Sequence, residues 1–176
     1  LPMSVPFRFF AAAAAFHVLT WIALLAGADH APSFRGGIGP VLAAVHLLTL
    51  GVLTMTAAGA SVQLLPVATR RPFAAIWPIK LLFWVFVPGV LLLAAGMYLA
   101  DLRALIVGAA FVAVALVLFA VLFADNLRRS ASLPTVSAFG WAALASLLSI
   151  VGLGVALVID YEHAILPDHS AAALAH

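Results

Sequence analysis

An all-α bundle of about five membrane-spanning helices, N-terminus inside and C-terminus outside, is the fold this sequence predicts. Three observations predict it. Of 176 residues, 66% are apolar and 8% are charged, and the mean hydropathy is +1.25. A soluble domain carries about 25% charged residues, so lipid rather than water must cover this chain. Five apolar stretches each reach the roughly 20 residues a helix needs to cross a bilayer core. With five crossings, the positive charges sort to one side.

The spans are expected at about Pro6 to Leu25, Ile38 to Leu65, Ile79 to Ala100, Leu105 to Phe123 and Val136 to Ile159. Each must be helical, because lipid offers no partner to an unsatisfied backbone group. Short polar turns are expected over 27–37, 69–72, 101–103 and 125–130. Pro88-Gly89 interrupts the third span and reads as a packing kink, with a gating hinge as the alternative. With the N-terminus inside, the inner side holds Arg8, Arg70, Arg71, Lys80, Arg128 and Arg129, and the outer side only Arg35 and Arg103. Of the acids, Asp29, Asp101, Asp160, Glu162 and Asp168 fall outside and Asp125 inside. Trp21, Tyr98 and Tyr161 suit the outer interface and Trp77 the inner one. The whole of 1–176 is read as one transmembrane domain of a multi-pass protein in a cell inner (plasma) membrane. The run Ser170–His176 resembles the first turns of a sixth helix, or alternatively an interfacial or frayed end.

Composition also excludes several functions. No cysteine is present, which removes disulfides, thiolate zinc sites, iron–sulfur clusters and a cysteine nucleophile. A net charge of +2, confined to short loops, points to membrane orientation rather than nucleic-acid binding. No phosphate-cradling glycine loop, His-Glu-x-x-His or Gly-x-Ser-x-Gly occurs, and no catalytic residue is assigned. All six acids sit near an interface, so no acid-based proton relay is expected.

The six histidines, His17, His30, His46, His163, His169 and His176, all fall in the expected outer half. Histidine is the common protein ligand of haem iron, copper and zinc. Counted from the span ends, His17 and His46 each lie about eight residues below the outer boundary, roughly 12 Å deep. At matched depth on adjacent helices they are candidates to clamp one haem iron between them. An intramembrane ionisable group is a functional candidate by default, but a histidine also serves as a hydrogen-bonding group between helices. That second reading is favoured for His17, and the ligand reading for His46. His163, His169 and His176, with Asp160, Glu162 and Asp168, are candidates for an outer metal site or a solvated loop. Their spacings of six and seven are not those that place two ligands on one helical face. Thr49, Thr54, Thr56, Ser61 and Gln63 add polar groups to the second span. Its stretch Ala57–Ser61 is small enough to let a helix or a flat macrocycle approach closely.

The segment His46-Leu-Leu-Thr-Leu-Gly-Val-Leu-Thr-Met-Thr56, continuing to Gln63-Leu-Leu-Pro66, resembles helix 2 of the haem-copper oxidase large subunit (subunit I). The likeness is to the divergent branch with cbb-type oxidases, nitric oxide reductases and NnrS-type proteins. Pro6-Phe-Arg-Phe-Phe10 before the first span is similar to that branch as well. The resemblance implies that His46 ligates a low-spin, b-type haem from near the outer face, and that this chain corresponds to the N-terminal five helices of a subunit of about twelve. The family's copper and remaining haem histidines lie on later helices, from the sixth onward. The chain is thus expected to be part of a longer protein or a small relative.

Three functions follow as expectations. The first is a haem-binding redox or electron-transfer subunit, oxidoreductase-like within a larger subunit. The second is a membrane protein handling copper or another metal through the outer histidines. The third is a non-enzymatic structural or assembly subunit. In each case the partners are the bilayer and other membrane subunits or further copies of the chain.

Overall fold

The computed structural model describes residues 2–129 and 134–163. Among them five helices are long and apolar enough to cross a membrane: α1 Ser4–Ala26, α2 Pro40–Thr69, α3 Trp77–Leu99, α4 Leu102–Arg128 and α5, whose apolar span is Pro134–Tyr161 and which runs on to His163. A short 3₁₀ turn, Ala28–His30, follows α1. The described residues contain no strand. The fold is an all-α polytopic bundle, as composition and span length require.

The helices run further than the apolar stretches alone. Asp125–Arg128, expected in a turn, form the last turn of α4. Charged side chains are tolerated there because a helix can leave the hydrocarbon before it ends, and α4 adds an Asp125–Arg129 ion pair one turn apart. The turns between helices are built locally. Arg70 and Ala100 both adopt the left-handed conformation, at φ 53° and 55°. The following amides close back onto the helix, Arg71 onto Pro66 at 3.2 Å and Asp101 onto Gly96 at 2.9 Å, so carbonyls that helix ends leave orphaned are satisfied. Asp101 then caps α4, its carboxylate accepting from the amides of Arg103 and Ala104.

Glycine sets the closest packing. α3 and α4 form an antiparallel hairpin in which backbone meets backbone. A Cβ added at Gly96 would lie 2.7 Å from the Leu105 Cα, and one at Gly108 2.6 Å from the Leu93 Cα. Gly89 likewise receives Phe111, at 2.9 Å from its Cβ. The Pro88-Gly89 step thus serves packing within one unbroken helix. Without a hydrophobic drive between helices in lipid, such close approach is what holds membrane helices together. On the other side of α3, Phe9 of α1 is fully buried, edge-on to Phe83 at 5.3 Å, with Gly59 of α2 against its Cβ.

α1 and α2 are also antiparallel neighbours, with Gly27 beside Pro40, Phe16 beside Gly51 and Phe9 beside Gly59. α5 is the least enclosed helix, with 11% of its apolar window buried against 44% for α3. It packs on α4 where Gly140 receives Leu127. At its far end Tyr161 hydrogen-bonds the Ile38 backbone in the α1–α2 connection. Asp160, beside it, is buried. Large apolar side chains such as Val18, Trp84, Val114 and Phe139 project outward, a surface suited to acyl chains and hazardous in water.

One polar lock joins three elements at the end bearing Arg70, Arg71, Arg128 and Arg129. The Thr69 hydroxyl donates to the Asn126 Oδ1 at 2.7 Å, with the Leu65 carbonyl 2.8 Å away. The Asn126 amide donates to the Arg71 carbonyl at 2.8 Å. Both side chains are buried, where polar groups need partners, and their hydrogen bonds tie the α2–α3 turn to α4.

Candidate functional site

His46 ends the α-helical first part of α2, and the chain continues as a π-helical segment, Leu47–Thr54. The wider winding shows in the side chains. The Thr54 hydroxyl donates to the Thr49 carbonyl five residues back, at 2.8 Å, whereas Thr49 donates to Val45 four residues back, at 2.9 Å. π-helical turns are rare, and they occur frequently at functional sites. Phe16 of α1 fills the space over Gly51, within this segment.

The His46 ring is half-buried, flanked in sequence by buried Ala43, Ala44 and Leu47. Its Nδ1 lies 3.0 Å from the Leu42 carbonyl oxygen. A carbonyl can only accept, so Nδ1 donates this hydrogen bond. Histidine ligands of metals are commonly held in this way, by an N–H donated to a backbone carbonyl that fixes tautomer and ring orientation.

His17 is placed differently. It lies on the exposed face of α1, and its Nε2 accepts a hydrogen bond from the Trp21 indole at 3.0 Å. The pairing of α1 with α2 sets Phe16 opposite Gly51, which leaves His46 level with about Trp21. The two histidines are therefore offset by three to four residues, about 5 Å along the bundle. Matched depth fails because α1 runs on to Ala26 while α2 begins only at Pro40. The structure does not bring His17 and His46 together on one face.

His163 is exposed at the end of α5. His169 and His176 lie outside the described residues. Among the described residues no group of three or more His, Asp or Glu side chains is disposed to hold a metal ion.

A cleft of about 350 Å³ opens between α2, α4 and α5, lined by Leu53, Thr54, Ala57, Ala58, Ser61 and Phe119 among others. The small side chains of Ala57, Ala58 and Ser61 thus serve as one wall of a groove, with Gly59 against α1. No histidine lines it. Gln63 points outward. The Asn126 lock and the π segment had no counterpart in the sequence reading. The only sequence signal for the lock is an amide next to the charges that close an apolar run.

Comparison with protein-family models, with curated proteins and with solved structures returned no match. The candidate site therefore rests on its own geometry.

Proposed function

We propose that this multi-pass protein is a haem-binding electron-transfer component of an inner (plasma) membrane, with His46 as the protein's axial ligand to a b-type haem. The observation that carries the reading is the hydrogen bond from His46 Nδ1 to the Leu42 carbonyl. It turns Nδ1 to the backbone, the arrangement in which a histidine ligates a metal through its other ring nitrogen. The π segment immediately after the residue and the motif from His46 to Pro66 support the same reading. Haem, once bound, supplies the one-electron chemistry, and its potential depends on the axial ligand and that ligand's hydrogen bonds. The chain's own contribution is to hold the imidazole in one tautomer and to surround it with apolar helices that exclude water. His17 has no part in this role, so any second axial ligand comes from elsewhere. The charge distribution, six cations against two, favours the N-terminus inside by the positive-inside rule, which puts His46 in the outer half.

The test is chemical rescue. His46→Gly should lose haem, and added imidazole should restore its absorption bands, because the free base fills the site the side chain left. His17→Phe should keep full haem content. A His46→Gly protein that folds and retains haem without imidazole rejects the assignment.

A further inference from the structure

We propose that the exposed face of α2 is the contact between two copies of this chain, joined where Gln63 of each copy meets Gln63 of the other. The chain has two side-chain amides, Asn126 and Gln63. Asn126 is buried and bonded to Thr69 and Arg71. Gln63 is exposed, and among the described residues its amide has no hydrogen-bond partner. The hydroxyls of Thr49 and Thr54 on the same helix turn back onto carbonyls of that helix, which Gln63 does not. Seven residues, about 10 Å, separate Gln63 from Arg70, and no charge lies between them. A helical side chain leans toward its helix N-terminus, which for α2 is the end remote from Arg70. The amide therefore leans toward mid-span, where lipid offers no hydrogen bond and an unmet polar group is costly.

The face around Gln63 decides what covers it. Thr56, Ala60, Gln63 and Val67 follow at spacings of four, three and four, within about 60° of helix arc. Thr56, Gln63 and Val67 are exposed and Ala60 is half-buried. None of the four lines the α2–α4–α5 cleft. Alternating steps of four and three form the seam of two helices packed side by side. The small side chains of Thr56 and Ala60, one turn apart, let a second backbone approach closely. Two copies in one membrane share one orientation, so their α2 helices run parallel and each seam residue faces its own counterpart at equal depth. A two-fold contact of this kind needs groups that complement themselves. A carboxylate or an ammonium would repel its copy, and the seam contains neither. A carboxamide carries both donor and acceptor, so the two Gln63 amides are electrostatic complements and exchange N–H···O bonds. The contact is independent of any ligand at His46.

The experiment counts subunits of the fluorescently labelled full chain in phosphatidylcholine vesicles, by single-molecule photobleaching, over a range of protein-to-lipid ratios. The dimer fraction should rise with the ratio. Gln63→Leu removes the reciprocal hydrogen bonds and should move the midpoint to about tenfold higher protein-to-lipid ratio. It places an apolar side chain where the single chain meets lipid, so it should fold. Ala60→Leu, which thickens the seam, should shift the midpoint at least as far. The sequence has no cysteine, so introduced ones report cleanly. Thr56→Cys and Val67→Cys should each form a disulfide between two chains on mild oxidation. Val114→Cys on α4, equally exposed, should not. A chain that stays monomeric at every ratio overturns the proposal and leaves the face to another subunit or to lipid. Dimerisation left unchanged by Gln63→Leu, or Val114→Cys cross-linking as fast as Thr56→Cys, overturns it as well.

Discussion

Replacing Gly108 by alanine should weaken the bundle although alanine is the better helix former. A Cβ there would sit 2.6 Å from the Leu93 Cα, whereas carbon atoms pack at about 3.5–4.0 Å. The obstacle is backbone, which cannot rotate aside, so α3 and α4 must part by about 1 Å along their seam. Parting also loosens the neighbouring contacts at Gly89 and Gly96. Overpacking of this kind costs about 1–3 kcal/mol, offset by up to about 1 kcal/mol of helix propensity gained. Gly152 on α5 is the control, since nothing lies within 4 Å of its Cβ position. Gly152→Ala should gain the propensity term and lose nothing. Reversible unfolding in mixed micelles, titrated with a denaturing detergent, reads both variants against wild type. Gly108→Ala should fall below wild type and Gly152→Ala should equal or exceed it. If the two alanines shift stability alike, the glycine seam is not what joins α3 to α4.

Three further outcomes are expected. Asn126→Leu should cost about 1–3 kcal/mol in the same unfolding assay, because the Arg71 carbonyl loses the Asn126 amide, while the Thr69 hydroxyl keeps the Leu65 carbonyl. An unchanged midpoint would show that the lock adds nothing. Deleting Leu50 removes a residue that the wider π winding accommodates, so the segment should become ordinary α-helix and haem retention should fall at least tenfold. Undiminished retention would mean that the π segment does not set the His46 ring. Tyr161→Phe removes the hydroxyl that reaches the Ile38 backbone, and protease cleavage in the 27–39 connection should quicken severalfold. An unaltered cleavage rate would show that α5 does not brace that connection.

The five spans were legible because lipid solvation is a coarse demand, met by length and mean hydropathy alone. Their ends were less so, since Asp125 and Arg128 look like a turn in sequence but lie on a helix that has already left the apolar region. Rotation about each helix axis was not legible. α1 is apolar almost all round, so no polar stripe tells which face turns inward, and His17 lies on the exposed face while Phe9 and Phe16 turn in. The same uniformity hid the π segment, because a change of winding leaves no mark in a run of leucine, valine and threonine. Small residues announced close approach without naming the partner. Gly108 meets Leu93, Gly51 receives Phe16, and Ala57 and Ser61 line an open cleft. At His46 the residue type was readable, whereas the hydrogen bond that orients its ring depends on the Leu42 carbonyl one turn away.

The most direct test of the His46 assignment is the reduced-minus-oxidised absorption spectrum of the membrane-extracted wild-type protein, normalised to protein content. A b-type signal of one haem per chain is the predicted result. A flat difference spectrum from folded protein supplied with haem during expression would contradict it.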